Sequence, residues 1–492
     1  MRKALSFLQL PTISRLLQSV TTDAAYCLHE APSPFRSFAA GQPVPATHPQ
    51  LLSPGELAPG IHSSEFRGRR KRLCTLLQPG ACAIIPASAT NYMAGVIPYP
   101  YRQDPDMMYF TGINQHAVAV LTAPARSVRE QGPAKDTYTL FIEPPNPERS
   151  RWDGERLDRQ AAFEVFGADE VYYSNELPQF LAEMASACPA LHFDLDRTSS
   201  HQHAPIATAL QPAIRAGRVS MLRPLTHHMR LIKSPAEVAA MRLAAQWSAQ
   251  AIVSCMSMSR PDVGEWEVAA RFEYEVAKRG AARLAYPSVV AGGSDACTIH
   301  YSRHDKRVPG GQMLLMDAGC EHGGYVSDVS RTWPVSGKFT GPQREVYNIV
   351  LETHKRCLAA CRPGTSICAL HLLSIKLLSK GIADLGLLGD TPLEEIEGRG
   401  YTEFYWHSVG HWLGLDTHDT ALVYHDKKLV AGHVITIEPG LYIPDEPRFG
   451  VYAGIGVRIE DDVVLTEHGC EVLSKDAPIE VEDVERMVGS AR

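Results

Sequence analysis

Residues 312–333 read QMLLMDAGCEHGGYVSDVSRTW, and this stretch predicts two strands joined by a glycine-rich turn. Asp317 ends the first apolar run, and Gly323 and Gly324 relax the backbone of the turn. Asp328 lies on the second strand, where alternate side chains share one face. A single aspartate would most often cap a turn or face solvent, but a hairpin brings Asp317 and Asp328 together across a strand pair. The stretch therefore predicts a paired carboxylate site.

Three histidines lie close together in a second segment, YWHSVGHWLGLDTHD at residues 405–419. His407 and His411 are four residues apart, a spacing that can line one side of a helix or loop, and His418 follows. A lone histidine is usually a satisfied core or surface residue, but this density indicates a functional site. Only one of them needs to bind metal, because the others suit proton transfer or stabilisation of a developing oxyanion.

Two glutamates lie on further predicted strands, Glu438 in HVITIEPGLYI and Glu460 in GIGVRIEDDVVL. Either one alone would be typical of an exposed strand position. Arg458 shares the face of Glu460 by two-residue alternation, so its guanidinium can orient that carboxylate.

Together these segments supply four carboxylates and one imidazole that can converge on one site. The set is Asp317, Asp328, His411, Glu438 and Glu460. Clustered carboxylates repel one another strongly unless cations lie between them. An oxygen-rich set with one nitrogen suits two divalent metal ions, Mn²⁺, Co²⁺ or Zn²⁺, better than a structural thiolate site.

The bulk composition excludes several classes of protein. The chain has 492 residues, 45% of them hydrophobic and 21% charged, which predicts two globular domains and a leader. The net charge of −7 argues against nucleic-acid binding, and the absence of an apolar run long enough to span a bilayer argues against membrane insertion. The eleven cysteines form no CxxC pair, and Cys357, Cys361 and Cys368 lie in a helical pattern that predicts buried free thiols in a reducing compartment.

Residues 1–38 predict a transit peptide or disordered leader rather than part of the fold. Arg2, Lys3 and Arg15 alternate with Ser, Thr and Leu, and no acidic residue precedes Asp23. This composition is typical of an organellar transit peptide. The stretch from Arg36 to Ala39 resembles a mitochondrial processing site, so a mitochondrial location is expected, with a plastid or the cytoplasm as alternatives.

The rest of the chain divides into two predicted domains, residues 39–225 and 226–492. Short apolar strands such as ACAIIPA (81–87) mix with helical patterns in the first, which indicates an α/β domain. Its helix EFRGRRKRLCTLL (65–77) is expected to turn its arginines, Arg69, Arg70 and Arg72 among them, to solvent or to a second copy.

The second domain begins with a capping box. Ser234, Pro235 and Glu237 occupy the N-cap, N1 and N3 positions, and the run that follows is rich in Ala, Met and Leu, which predicts a helix. Helical patterns followed by strands occur twice from there. That order predicts an α+β domain with internal pseudo-symmetry.

In order along the chain, the motifs MDAG, SDVSRTW, VGHWLGLDTHD, ITIEPG and GVRIEDD resemble those of the pita-bread metallopeptidases of family M24B. These include aminopeptidase P, prolidase and methionine aminopeptidase. The resemblance covers residues 226–480, continues through GQPVPATHP, DPDMMYFTGI and RWDGERL, and is best for the mitochondrial-type branch of Xaa-Pro aminopeptidases. It implies a C-terminal pita-bread (creatinase/aminopeptidase) domain preceded by a creatinase N-terminal-like α/β domain.

The resemblance also implies how the metal ions are shared. Asp317 is implied as a bidentate ligand of one ion, and Asp328 and Glu460 as bridges between both. His411 and Glu438 are implied to complete the second ion's ligands, and Glu438 to shuttle a proton as well.

Further residues are implied to act on the substrate. His300 in TIHY, His407 and His418 match catalytic histidines of the family, of which the first and third also contact substrate. Tyr286 in AYPSVV matches a substrate-binding tyrosine, and Arg458 is expected to bind substrate or to orient a carboxylate.

The predicted function is that of an Xaa-Pro aminopeptidase. Hydroxide generated at the metal centre would release the amino-terminal residue from peptides or proteins, preferentially when proline is second. One alternative is prolidase, which prefers dipeptides, and another is an intermediate-cleaving peptidase, which trims imported mitochondrial precursors. A non-catalytic pita-bread binding protein is more remote, because such proteins typically lose metal ligands. A homodimer or homo-oligomer built through the amino-terminal domain is also implied.

Overall fold

The structure, a computed structural model, describes residues 38–125, 135–196 and 203–491. The predicted transit peptide therefore lies, except for Phe38, outside the described residues. From Ala39 onward the chain forms one compact unit. The division into domains at residues 225 and 226 stays a prediction.

A six-stranded mixed sheet organises the first part of the chain. Its centre runs antiparallel from Cys82–Pro86 through Ala117–Thr122 to Thr137–Ile142, at the three apolar runs of the sequence. Parallel strands flank this centre: Leu191–His192 and Val219–Ser220 on one side and Glu170–Tyr173 on the other. All residues of Cys82–Pro86 are buried, so the strand is covered on both faces and reads as a continuous apolar run.

Short helices and two small hairpins surround this sheet. The helices are Ser63–Leu76, Pro105–Thr111, Pro147–Asp153, Arg159–Glu164, Leu177–Ala187, Ala204–Ala209, Gln211–Arg215 and Arg223–Arg230. The hairpins pair Glu56–Ala58 with Ile61–His62 and Tyr92–Ala94 with Ile97–Pro98.

The structure corrects the sequence prediction for two arginines of helix Ser63–Leu76, since Arg69 and Arg70 are buried, whereas Arg72 is exposed as predicted. The Arg69 guanidinium stacks 4.2 Å from the ring centre of Tyr109 and lies 3.4 Å from a carboxylate oxygen of Glu237. A buried arginine is stable when its donors and charge are satisfied. Arg69 therefore joins this helix to Glu237 in the later part of the chain, and the buried contacts around it are called the Arg69 seam below.

Helix Pro235–Met258 begins at the predicted capping box. The Glu237 amide donates to Ser234 Oγ at 3.2 Å, and the Ser234 amide donates to Glu237 Oε2 at 2.8 Å. Both bonds satisfy amides that have no partner within the helix. The other helices of this part are Glu265–Lys278, Gly341–Ala360, Ile367–Asp384, Leu393–Gly398 and Val481–Met487.

Two three-stranded antiparallel sheets carry the predicted site. The first consists of Val289–Gly292, Met313–Ala318 and Val329–Pro334, and the second of Val434–Ile437, Asp461–Leu465 and Cys470–Val472. Each follows a pair of long helices, which is the helix-then-strand order expected from the sequence. The smaller pairings join Val263–Gly264 to Arg307–Val308, Gly440–Tyr442 to Gly456–Arg458, and Cys320–His322 to Arg283–Leu284 and Tyr325–Val326.

A large apolar core fixes the first of these sheets against the helices. Ile252, Phe272, Val290, Met316 and Trp333 all belong to it and are fully buried. Burying one such side chain contributes roughly 1.5–3 kcal/mol. The strand that carries Asp317 therefore has little freedom to move.

Two of the three clustered cysteines are buried as predicted, but Cys368 is exposed. It follows the buried Ile367 in the first turn of helix Ile367–Asp384, and neighbouring positions of a helix face different directions. Within the described ranges, no helix is both long and apolar enough to cross a membrane.

Candidate metal centre

The five predicted metal ligands lie at or beside strand ends and face a common site. Asp317 is the last but one residue of its strand, whereas Asp328 and Glu460 directly precede theirs. Glu438 directly follows its strand, and His411 precedes a single β-bridge. At strand ends side chains are freed from the alternation of a sheet, so residues from several segments can point to one place.

Asp317 and Asp328 are joined through Tyr286. The Tyr286 hydroxyl lies 2.6 Å from Asp317 Oδ1 and also contacts Asp328 Oδ1. The second strand is not continuous through Asp328 as predicted, because the Asp328 amide donates to the Asp462 carboxylate at 3.1 and 3.2 Å instead of to a ladder partner. Gly323 and Gly324, with φ of 60° and 89°, make the predicted turn just before this break.

His411 is oriented by its own surroundings. Its Nδ1 donates to the Trp412 carbonyl at 3.1 Å, which directs Nε2 towards the carboxylates. Nε2 lies 3.4 Å from Asp328 Oδ2 and 3.7 Å from Glu438 Oε1. A metal-binding histidine typically donates its second ring nitrogen in this way.

Glu460 and Asp317 are supported by the same pair of residues. Ser330 Oγ donates to Glu460 Oε2 at 2.6 Å and accepts from Arg458 Nε at 2.9 Å. Arg458 Nη2 donates to Asp317 Oδ2 at 2.6 Å. Arg458 is only 2% exposed, so its contacts favour the orienting role considered in the sequence analysis over direct substrate binding.

Tyr442 connects Arg458 to His407. Its hydroxyl accepts from Arg458 Nη1 at 2.9 Å and lies 2.9 Å from His407 Nε2. His407 Nδ1 donates to the Ser408 carbonyl at 2.8 Å and lies 3.5 Å from Glu438 Oε2. Burial, with the charge of Arg458, lowers the pKa of His407 to about 3, which keeps this imidazole neutral.

Burial and mutual repulsion raise the pKa of most of the clustered carboxylates. Burial raises the pKa of Glu438 to about 7 and that of Glu460 well above its usual value, and the charge of Asp328 adds to both. Burial also raises the pKa of Asp317. Asp328 differs: burial disfavours its charge, but the hydrogen bond and charge of His411 hold its pKa below the usual value.

The donor set fits a divalent metal centre. Ligand atoms of Asp328, His411 and Glu460 lie within 4.8 Å of one another. Burial alone would lower the pKa of His411, yet its hydrogen bond to Asp328 and the carboxylate charges raise it to about 9. The site therefore attracts positive charge strongly, and hard oxygen donors with one imidazole are the ligands such ions accept.

A cavity of about 630 Å³ opens on this site. Its lining includes Asp317 and Asp328 together with three residues predicted to contact substrate, Tyr286, His300 and His418. The His418 ring lies 4.5 Å from that of His411. His407 instead lines a neighbouring cavity of about 390 Å³.

Comparisons with known proteins agree with this architecture. The model of metallopeptidase family M24 matches residues 239–467, and that of the aminopeptidase P N-terminal domain matches residues 66–192. Mitochondrial intermediate cleaving peptidase 55 of Arabidopsis thaliana is 41% identical over 92% of this chain and 88% of its own length. Xaa-Pro aminopeptidase 3 of Homo sapiens is 37% identical over 92% and 91%. The solved structure of zinc-substituted Escherichia coli aminopeptidase P in complex with product has 33% identity, covers 88% of this chain and 99% of that chain, and gives a TM-score of 0.81.

The chain belongs to metallopeptidase family M24. The predicted fold class, an α/β domain followed by a pita-bread domain, is confirmed, and so is the prediction of a metallo-exopeptidase. In this M24 chain the candidate metal site consists of Asp, His and Glu side chains.

Sequence reasoning missed several residues of the M24 site. Ser330 and Tyr442 lie inside the motifs quoted above. The only local signal for them was strand alternation, which puts Ser330 on the same face as Asp328 and Tyr442 on the same face as Gly440. Asp462 is buried and accepts the Asp328 amide, but in the sequence it is only a further acidic residue of the motif GIGVRIEDDVVL. These roles depend on contacts between segments far apart in sequence, which no local pattern encodes.

Proposed function

We propose that this M24 chain is an aminopeptidase that removes a single amino-terminal residue from peptides, preferentially when proline is second. The observation that carries the proposal is the convergence of four carboxylates and His411 beside a cavity that His300 and His418 line. The names of relatives, Xaa-Pro aminopeptidases among them, support this substrate class.

Two divalent ions, manganese in this proposal, are held by the five ligands. The residues that would hold them are Asp317, Asp328, His411, Glu438 and Glu460. When bound, the ions supply Lewis acidity, which activates water near neutral pH and polarises the scissile carbonyl.

The chain's own residues handle the proton and the developing charge. Glu438 takes the proton from the attacking water and returns it to the leaving nitrogen, as the bond between carbonyl carbon and nitrogen breaks. The neutral imidazole of His407 borders this carboxylate, with Nδ1 3.5 Å from Glu438 Oε2. His300 and His418, on the cavity wall, stabilise the negative charge on the carbonyl oxygen and place the proline side of the bond.

Proline explains the niche of such an enzyme. The bond before proline is a tertiary amide without an N–H group, so peptidases that need this donor act poorly on it. In the reaction proposed here, Glu438, His300 and His418 act on the water, the carbonyl oxygen and the leaving nitrogen, and none of these roles uses an N–H group of the scissile bond.

The test is release of the first residue from an Xaa-Pro-Pro peptide by purified protein with Mn²⁺. Glu438→Ala is expected to lower kcat by about 10²- to 10⁴-fold without loss of fold, because it removes a ligand and the proton carrier. Glu467→Ala, at an exposed glutamate, is the matched control and should leave kcat unchanged. No release by the wild type, or normal turnover by Glu438→Ala, would refute the proposal.

Trimming of imported mitochondrial precursors is the second candidate function. The relative that favours it is the Arabidopsis intermediate cleaving peptidase, at 41% identity over 92% of this chain. An otherwise identical peptide with alanine instead of proline as its second residue separates the two candidates, because precursor trimming requires good turnover of this peptide and a preference for proline does not. Comparison of an Xaa-Pro dipeptide with the tripeptide separates both from prolidase.

We further propose a mitochondrial location and self-association. The first rests on the transit-like leader and on the mitochondrial relative, and a fluorescent fusion of the full chain tests it. The second is supported by the hairpin Tyr92–Ala94 with Ile97–Pro98, where Met93, Val96 and Ile97 are 54%, 88% and 59% exposed. Contiguous exposed apolar side chains of this kind commonly mark an interface.

A further inference from the structure

The loop that carries His418 is held by a side chain from the first part of the chain. Arg102 lies just before helix Pro105–Thr111, yet it lines the same cavity as Tyr286 and His418. Its guanidinium donates to the Leu415 carbonyl oxygen, and its Nη1 lies 3.0 Å from Asp416 Oδ1. Arg102 thus contacts the loop two and three residues before His418.

The positive charge of Arg102 is already offset by neighbouring carboxylates of the protein. Besides Asp416, its Nε lies 3.2 Å from Glu321 Oε2. A guanidinium with two carboxylates and a carbonyl oxygen as acceptors has little charge left to attract the carboxylate of a peptide. Its position therefore suits holding the loop rather than binding an anion.

The other contacts of the loop show what Arg102 adds. Asp416 Oδ2 lies 3.0 Å from Arg230, and Asp419, on the far side of His418, pairs with Arg230 and lies 3.3 Å from Lys233. Arg230, Lys233 and Asp419 are almost completely buried, whereas Arg102 and Asp416 keep 37% and 35% of their side chains exposed. The base of the loop is thus fixed in the core, and Arg102 fixes its cavity-facing side.

We propose that Arg102 is a positioning residue for the peptidase reaction, which sets the place of His418 by holding the loop of residues 414–419. The inference rests on the proposed role of His418 in that reaction. A planar fork of donors reaches the Leu415 carbonyl, Asp416 and Glu321 at once, and a lysine ammonium cannot reproduce that geometry.

The test compares Arg102→Gln with Arg283→Gln. Arg283 Nε lies 3.3 Å from the other oxygen of Glu321, so the control removes a cation that pairs with the same carboxylate but, within the described ranges, forms no ion pair with the loop. Arg102→Gln should lower kcat by roughly 10- to 100-fold, since a displaced group about 1 Å from its productive position has effects of that size. Arg283→Gln should stay within about twofold of wild type. Arg102→Lys, the milder variant, should also lose activity.

A double-variant cycle separates positioning from general damage. In a His418→Ala background, Arg102→Gln should reduce kcat by less than about threefold, because the group through which it acts is gone. An equal loss in both backgrounds, or full activity of Arg102→Gln, would overturn the inference.

A readout independent of activity keeps the test separate from the proposed function. Hydrogen exchange of a peptide spanning residues 410–422 should be several-fold faster in Arg102→Gln than in wild type and unchanged in Arg283→Gln. If the wild type cleaved no peptide, the proposed function would fail while this measurement still reported on the loop. Unchanged exchange in Arg102→Gln would overturn the inference by itself.

Discussion

Ser330 and Arg458 connect ligands that belong to different segments of the chain. The Ser330 hydroxyl joins Glu460 to the Arg458 guanidinium, which in turn reaches Asp317 at 2.6 Å. Arg458 is always charged, and its donors are fixed in a plane, so both carboxylates are held in defined orientations. The precision of the metal centre therefore depends on residues that need not touch a metal ion.

Replacement of Ser330 tests this dependence. Ser330→Ala removes the donor to Glu460 at 2.6 Å and an acceptor from Arg458, so the affinity for Mn²⁺ should fall by roughly 10- to 100-fold. Calorimetric titration of the metal-stripped protein measures it. Ser379→Ala is the control, because the buried Ser379 hydroxyl has no hydrogen-bond partner within the described ranges. Equal affinities of the two variants would contradict the role of Ser330.

His433 predicts how stability depends on pH. It is fully buried, its Nδ1 accepts the Val430 amide at 3.3 Å, and burial, with the charge of Lys233, lowers its pKa from 6.5 to about 4. The unfolded chain therefore binds a proton below pH 6.5 that the folded chain refuses until about pH 4. This residue contributes full stability above pH 6.5 and loses up to about 3 kcal/mol as the pH falls to 4.

The measurement is urea unfolding of metal-stripped protein at pH 7 and pH 5. His433→Asn retains a side-chain acceptor but cannot be protonated, so its free energy of unfolding should fall less between these two pH values. Identical pH dependence in the variant and the wild type would exclude His433 as a source of acid destabilisation.

The loop of residues 405–418 and the strand Val434–Ile437 act as one element. The Thr436 amide donates to the His411 carbonyl at 3.0 Å, and the Glu438 amide donates to the Val409 carbonyl at 2.7 Å. These two bonds place the His411 and Glu438 side chains next to each other. Gly410 makes the close approach possible, because a Cβ atom there would lie 2.0 Å from the Thr436 carbonyl oxygen.

Gly410→Ala should separate the loop from the strand. The clash is with backbone, so the expected cost is roughly 1–3 kcal/mol in the free energy of unfolding, together with loss of Mn²⁺ affinity. Gly398→Ala is the matched control, because a Cβ atom at Gly398 meets nothing within 4 Å. Chemical unfolding measures the free energy of unfolding of both variants, and metal titration measures their Mn²⁺ affinity. Wild-type values for Gly410→Ala would contradict the prediction and show that the loop can move to accommodate the added Cβ atom.

Elements set by local chemistry were predictable, and those set by distant partners were not. The capping box at Ser234 needs only residues within one turn, so the start of its helix could be read directly. The interruptions of the strands at Asp328 and Glu460 could not be predicted from the sequence, because they depend on distant acceptors. The Asp328 amide donates to the Asp462 carboxylate, and the Glu460 amide donates to the Ser330 carbonyl. Alternation alone predicts a continuous strand at both places.

At the scale of the whole molecule, the burial of two segments differs from what their sequences suggest, and in opposite directions. The arginine-rich helix was expected outside, but Arg69 is buried because Tyr109 and Glu237 satisfy it from distant segments. The hairpin Tyr92–Ala94 with Ile97–Pro98 exposes apolar side chains that no sequence pattern had marked. Burial of a charge and exposure of an apolar residue both depend on tertiary partners, so composition predicts neither.

Charges placed on the exposed hairpin test self-association. Val96→Asp with Ile97→Asp would bury two unpaired carboxylates in any interface there, so the apparent mass in light scattering should fall to that of one chain. Val451→Asp, at a side chain 71% exposed elsewhere, is the control and should leave the mass unchanged. A single-chain mass for the wild type would contradict the proposed self-association.

The Arg69 seam restricts how the two halves of the chain can be recombined. Glu65 accepts the Ser234 hydroxyl at 2.7 Å, and Tyr325 donates to Glu237 at 2.7 Å, so the cap of helix Pro235–Met258 is shared with helix Ser63–Leu76. A chimaera that took only the second half from this protein would leave Glu237 without the arginine that offsets its charge. Engineers who graft this peptidase half onto a new partner should transplant the helix Ser63–Leu76 with it.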